Sequence, residues 1–361
     1  MKRGVAIYIL ILALSIGLFI LTGFTFFGLF FLMALIYGVI SILVLLATNP
    51  KLKLEINGPA EIEKEEVYNF RIKLLNENPL PVLGLKLTLS LKNLLTEDQE
   101  FINLSKDLLP KRESNLELDS MSRVCGMMEL GVKEAFLLDL LGFFKKRVKI
   151  TYSPCHTLVL PETEFVQLEP EDLERYDMES FKYADGKVGS DSSETAGIRE
   201  YVPGDSIKGI HWKLTAKSGD IMVKEYGLPV DTKLMVIVDM ALPDISELGR
   251  DKQAEVLGEF AISVSKTLLE KEIRHEFGWF DKTRESFERK SIGGWDDYQS
   301  MTREFLSSGP VDDGRKTVEG FLESEGSKDF AGFLYITLNQ EKEGEVSPLK
   351  EYGNVAIYSP R

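Results

Sequence analysis

Residues 4–50 read GVAIYILILALSIGLFILTGFTFFGLFFLMALIYGVISILVLLATNP and contain no Asp, Glu, Lys or Arg. An apolar run of this length cannot be left in water, and one helical membrane crossing takes roughly 20 residues, so the stretch is long enough for two. Its break is Thr22-Gly23-Phe24-Thr25, where a glycine and two threonines interrupt the Leu/Ile pattern. The reading is a transmembrane helical hairpin over 1–50, with helices at about 5–21 and 26–46. The short turn between them reaches the far interface, where water satisfies its peptide groups. A cleaved signal peptide followed by one anchor competes with this, because Lys2-Arg3 resembles a basic leader. Against it, the first apolar run exceeds the roughly 7 to 15 residues of a signal core, and no small-x-small cleavage site precedes Thr25.

Moving outward, Lys2 and Arg3 flank one end of the hairpin and Lys51 and Lys53 the other. The positive-inside rule then puts both ends in the cytoplasm, so the expected localisation is a cell membrane crossed twice with the body cytoplasmic. The chain of 361 residues carries 57 Asp+Glu against 43 Lys+Arg, a net charge of −14. Without Lys2 and Arg3, everything beyond residue 50 is two charges more acidic still. Such a body lacks the basic surface that displaces phosphate counterions, which excludes a nucleic-acid partner. Cys125 and Cys155 form no CxxC pair, suiting a reducing compartment. With only His156, His211 and His275 in the chain, no spacing makes a recognised zinc site. Cys155-His156 is a poor catalytic pair, because adjacent residues of a strand point to opposite faces.

From 51 to 160 two-residue alternation dominates. Leu83, Leu85, Leu87, Leu89 and Leu91 alternate with Gly84, Lys86, Thr88, Ser90 and Lys92, and Tyr68, Phe70, Ile72 and Leu74 alternate with Asn69, Arg71 and Lys73. Each run is a strand with one buried and one wet face. Further short strands are expected at 51–56, 115–118, 124–130, 147–152 and 157–160, about seven in all, which suggests an all-β immunoglobulin-like sandwich. Its functional reading is a binding surface near the membrane, its plain reading a spacer. Residues 161–196, rich in Glu, Asp, Ser and Gly, read as an acidic linker with at most a helical turn around 169–176.

The densest motif runs from Gly197 to Tyr226, GIREYVPGDSIKGIHWKLTAKSGDIMVKEY. Val202-Pro203-Gly204-Asp205 is a turn, Pro presetting φ and Gly supplying a conformation others resist. Asp205 can cap the backbone that follows, and Arg199 is its natural carboxylate partner. Lys217-Ser218-Gly219-Asp220 makes a second turn before a strand over 221–226, so 197–229 reads as strand-turn-strand. Arg199-Glu200-Tyr201, Gly204-Asp205, Ile210-His211-Trp212, Ala216-Lys217 and Val223-Lys224-Glu225 resemble the signature of the domain of unknown function 58 family, membrane-anchored proteins with a von Willebrand factor A-like domain. Asp139-Leu140-Leu141-Gly142-Phe143-Phe144 is similar to that family's Asp-Pro-Phe-Gly-Leu-Phe element, with Leu in place of Pro, and Leu160-Pro161 fits its strand end after the sandwich. The signature set is Arg199, Tyr201, Gly204, Asp205, His211, Trp212, Lys217 and Lys224. Two roles are open to it: a buried polar network in which Arg and His are partnered by Asp205, or a contact with a partner.

From 230 to 361, Leu234-Met235-Val236-Ile237-Val238-Asp239 is a nearly continuous apolar run, as in a central parallel strand. A helix at 250–271, strands at 273–281, 286–292, 330–338 and 354–358, and helices at 296–307 and 316–324 complete a βα alternation, predicting a doubly wound α/β domain. In A-domains that this one resembles, the first strand ends in Asp-x-Ser-x-Ser, which offers oxygens to Mg2+. Here the run is Asp239-Met240-Ala241-Leu242-Pro243. Both hydroxyls are gone at Ala241 and Pro243, and Asp244 and Asp281 would have to compensate. Asp239 is thus a weak metal candidate or the cap of the next turn, and no cofactor is expected.

The resemblance implies a role rather than a reaction: an adaptor or co-chaperone-like protein presenting its A-like domain to a MoxR-type AAA+ ATPase, with the lipid bilayer and that protein as partners. The alternative is an extracytoplasmic adhesion or cell-envelope protein. An envelope-directed enzyme has least support, since no Gly-rich phosphate loop, catalytic triad or nucleophile paired with His211 is present.

Overall fold

The computed structural model describes residues 2–48, 50–79, 81–169, 183–189, 195–202, 209–229, 233–243, 248–324, 330–339 and 343–360. The chain divides into two compact units, Met1–Glu162 and Thr163–Arg361.

The first unit begins with two apolar helices, α1 (Lys2–Thr22) and α2 (Thr25–Ala47). Both are long and apolar enough to cross a membrane. Gly23, at φ 66°, makes the reversal, and its N–H donates to Phe19 O at 2.9 Å. Small residues let the helices meet: a Cβ at Gly38 would overlap the Tyr8 hydroxyl, and one at Gly28 would lie 3.0 Å from the Phe19 ring. The Tyr8 hydroxyl donates to Ala34 O at 3.0 Å, spending its polar atom inside the pair.

The β-rich middle follows as β1 (Leu52–Asn57), β2 (Glu61–Ile62), β3 (Val67–Asn76), β4 (Val82–Asn93), β5 (Gln99–Leu108), β6 (Glu113–Met121), β7 (Gly126–Leu138), β8 (Lys145–Arg147), β9 (Ile150–Tyr152) and β10 (Cys155–Val159). One sheet has the order β6-β3-β1-β9, the other β2-β10-β7-β4-β5 with β8 on β7. Phe70, Ile72 and Leu74 of the first and Leu85, Leu87, Leu89 and Leu130 of the second belong to one apolar core. Strands β2 and β5 escaped the sequence reading. In β5, Phe101 is exposed and Ile102 and Leu104 are only half-buried, so its alternation is weak. Leu83 is corrected as well. The register shifts between Val82 and Leu85 across Gly84 at φ 63°, so Val82 turns inward and Leu83 is 50% exposed.

The second unit holds β11 (Tyr183–Gly189), β12 (Thr195–Glu200), α3 (Trp212–Ser218), β13 (Met222–Pro229), β14 (Lys233–Val238), α4 (Arg250–Glu270), β15 (His275–Asp281), β16 (Ser286–Ile292), α5 (Trp295–Phe305), α6 (Arg315–Glu323), β17 (Phe330–Ile336), α7 (Glu343–Val346), a 3₁₀ helix at Ser347–Glu351 and β18 (Asn354–Tyr358). A three-stranded sheet runs β11-β13-β12 and a five-stranded sheet β16-β15-β14-β17-β18. In the larger sheet β14, β15, β17 and β18 are parallel and β16 is antiparallel. Helices cover both of its faces. Met235, Ile237, Phe333 and Tyr335 pack with Val318 and Phe321 of α6, while Phe277 and Trp279 stack edge-on with Phe305 of α5.

Two readings change here. The stretch 161–196 is not simply a linker. Its described part starts by running along α4, where Ser263 and Thr267 hydroxyls accept from Glu164 and Val166 N–H, and later contributes β11, which pairs with β13. The helical turn expected around 169–176 falls almost wholly outside the described residues. Within 197–229, the element between the strands is the helix α3 rather than turns alone.

Candidate functional site

The signature residues are gathered by pairing of β12 with β13, which sets Arg199 opposite Val223 and Ile198 opposite Lys224. Beyond the paired strands, Tyr201 N–H donates to Ile221 O and His211 N–H to Met222 O, each at 2.8 Å. These two bonds bring Val202, Trp212 and Ile221 to one end of the small sheet.

Helix α3 is short, and both ends are fixed. His211 is its N-cap: Nδ1 accepts from Leu214 N–H at 3.1 Å, a donor shared with the His211 carbonyl at 3.0 Å. Gly219 closes it at φ 87°, a left-handed conformation that a glycine adopts freely, and its N–H donates to Thr215 O at 3.0 Å. The Thr215 hydroxyl accepts from Met222 N–H at 3.0 Å, tying the helix to β13. Lys217 lies in the last turn, where a cation meets the negative end of the helix dipole.

The arrangement separates two roles that the sequence left open. His211 and Thr215 hold the helix in place. Trp212, at its first position, is 66% exposed and so stands outside any buried network; Val202 and Ile221 are also exposed, and Lys213 and Lys217 lie on the surface. Arg199 and Tyr201 are half-buried, and Arg199 Nη1 donates to Glu200 O at 3.0 Å. Lys224 is half-buried on β13. Gly204 and Asp205, and with them the expected Arg199–Asp205 pair, lie outside the described residues. An exposed aromatic ring with exposed apolar and cationic side chains on the same segment is the type of surface that protein contacts use.

Asp239 follows β14 and is fully buried. Its Oδ1 accepts from Ala241 N–H at 3.0 Å and its Oδ2 from the Thr337 hydroxyl at 3.4 Å, so it caps the turn after the strand. Burial, and then the Asp239 charge, push the Tyr335 phenol up. Asp281 is engaged in its own turn, accepting from Thr283 and Arg284 N–H at 2.7 and 3.1 Å and from the Ser308 hydroxyl at 3.3 Å. Asp244 lies outside the described residues. With Ala241 and Pro243 where hydroxyls would be needed, this donor set does not fit Mg2+. No disulfide joins Cys125 and Cys155. Cys155 packs against the core and burial pushes its thiol up, while His156 Nε2 meets Glu129 at 3.1 Å on the other face, so the two make no catalytic pair.

Sequence reasoning missed α3 and the pair Tyr37–Asp139, whose hydroxyl and carboxylate meet at 2.5 Å. The signals were present: a helix stop at Gly219, and one phenol in the apolar run of α2.

No curated protein sequence gives a significant match. Among solved structures, the CARDB domain of a Pyrococcus furiosus protein, in complex with di-metal ions, is 18% identical over 28% of this chain and 90% of that one, at TM-score 0.21. Pseudomonas fluorescens alkylpurine DNA glycosylase AlkC is 16% identical over 32% of each chain, at TM-score 0.23. A β-glucosidase from Listeria innocua is 10% identical over 28% of this chain and 16% of that one, at TM-score 0.20. Overlaps this slight assign neither fold nor function. Residues 197–319 match the family model described as protein of unknown function DUF58. That match starts within β12, ends within α6 and includes the exposed Trp212.

Proposed function

We propose that this chain is a membrane-anchored adaptor that presents its second unit to a cytoplasmic protein partner, a MoxR-type AAA+ ATPase, and catalyses no reaction itself. The observation that carries the reading is Trp212, a large apolar side chain 66% exposed on a helix fixed at both ends within the DUF58 segment. A structural tryptophan would be buried, whereas aromatic anchors of this kind are enriched where proteins meet. The two apolar helices support anchoring, and the lysines and arginine beside them support cytoplasmic placement of both units. Two sheets around one core are consistent with an immunoglobulin-like sandwich acting as a spacer. The strand order β16-β15-β14-β17-β18, with an antiparallel edge and helices on both faces, suits a von Willebrand A-like fold lacking its metal.

The competing reading is an extracytoplasmic adhesion or envelope protein. External protease applied to intact cells separates the two. The adaptor reading expects both units to stay intact until the membrane is breached; digestion from outside would contradict it and favour the alternative.

A further inference from the structure

The family-like element Asp139–Phe144 joins β7 to β8, and its contacts are with the helices. Gly142 N–H donates to Asp139 O at 3.0 Å, closing a tight turn that Gly142 permits at φ 75°. The Phe143 carbonyl comes to 2.7 Å from where a Cβ at Gly4 would stand, and the Phe143 and Phe144 rings lie 5.7 and 5.1 Å from Tyr8. Asp139 Oδ2 accepts from the Tyr37 hydroxyl at 2.5 Å and Oδ1 from Phe144 N–H at 2.7 Å, and the same hydroxyl accepts from Leu141 N–H at 3.1 Å. Tyr37 lies roughly 15 Å along α2 from its C-terminal end, at 1.5 Å per residue. The loop therefore lies against the first two turns of α1, at Gly4 and Tyr8, and reaches along the side of α2 as far as Tyr37.

Two features make this a place for lipid. The polar groups at the turn are largely used internally, as backbone groups must be at hydrocarbon depth, while Leu140 and Leu141 stand 83% and 63% exposed at its tip. Beside them a cavity of about 300 Å³ opens between α2 and the ends of β4 and β7. One wall is the side of α2 carrying Ile40 and Val44, which are exposed and face whatever surrounds a membrane-spanning helix, and the opposite wall is Leu83, Leu138 and Leu140. Its two strongest hydrogen-bonding groups, Tyr37 and Asp139, already bind each other, so a polar solute would find little to hold it.

We propose that this crevice holds an acyl chain of a membrane lipid, with Leu140 and Leu141 seated in the hydrocarbon beside it, so that the β-rich part of the first unit grips the bilayer in addition to its two helices. The proposal rests on the reading of α1 and α2 as membrane spans. Its outward bulge also explains a use for Leu83, which is exposed to solvent in a strand whose other leucines are buried.

The test uses the full chain in phosphatidylcholine vesicles doped with phosphatidylcholine that carries a photoreactive diazirine in one acyl chain. After irradiation, label mapped to single residues should appear on the hairpin, on Leu140 and Leu141, and on the crevice wall at Leu137 and Leu138. Leu83→Trp, and to a smaller degree Leu83→Phe, fills the crevice from an exposed position and should lower labelling at Leu137 and Leu138 at least fivefold while leaving the hairpin, Leu140 and Leu141 labelled. A labelled hairpin with Leu137 and Leu138 unlabelled, or labelling there that neither variant changes, would overturn the crevice proposal alone. An unlabelled hairpin would overturn the membrane reading itself, and the crevice with it.

Discussion

Trp212 and its neighbour His211 divide anchoring from contact within two residues. Trp212→Ala removes an exposed ring, so thermal stability should stay within about 0.5 kcal/mol of the parent while partner binding falls tenfold or more in a titration. His211→Ala, by contrast, opens the N-cap of α3 and should cost about 1 kcal/mol, read from denaturation of the second unit. His275 behaves differently again. It is buried, its Nδ1 donates to Ile273 O at 3.0 Å and its Nε2 accepts from the Ser265 hydroxyl at 2.8 Å, and burial lowers its pKa to about 4. The unfolded chain then takes up a proton more readily than the folded one, so stability rises with pH between about 4 and 6.5 and is lost as pH falls through that window. The full effect is about 3 kcal/mol. A His275→Asn variant should show a flatter dependence of its unfolding midpoint on pH across this range. None of this could be read from the sequence, because His275 carries no local motif and its burial depends on strands and a helix closing around it. His211 and Trp212 did stand out in the sequence, but the assignment of one to capping and the other to the surface needed the helix between Trp212 and Ser218.

At the scale of elements, legibility followed burial pattern. Strands β14, β16 and β18 lie close to where the sequence put them; β14, covered on both faces, reads as a continuous apolar stretch, while the edge strands β16 and β18 show no alternation and were placed by the turns around them. Strand β11, Tyr183–Gly189, has no such pattern, with two glycines and an aspartate in seven positions, and its pairing with β13 is a tertiary effect. The bulge at Gly84 defeated a regular alternation in the same way, by flipping Leu83 while the residues after it kept their faces. Close packing of β15 gives a sharp test. A Cβ at Gly278 would fall 2.5 Å from Met235 Cε and within overlap of the Phe287 ring, between the sheet and α6. Gly278→Ala should therefore destabilise the second unit by about 1 to 3 kcal/mol, visible as a lowered melting temperature, without altering the first unit's transition.

For the whole molecule, the charge-free stretch at residues 4–50 marked the hairpin, and the change from two-residue alternation to βα alternation marked two kinds of fold. The chain as a whole is acidic, net −14, and the signature helix of its second unit carries an exposed tryptophan. What composition could not reveal was the grip of the Asp139–Phe144 loop on the helices, because that contact joins residues more than a hundred positions apart, as the Tyr37–Asp139 bond does. The central claim is that the second unit engages a AAA+ ATPase through the surface around Trp212. It is tested most directly by affinity capture of the full chain from native membranes with ATP present, comparing the parent with Trp212→Ala. The account expects a AAA+ ATPase to co-purify with the parent and to be depleted at least tenfold with the variant. Capture of no ATPase by the parent, or equal capture by both, would contradict it.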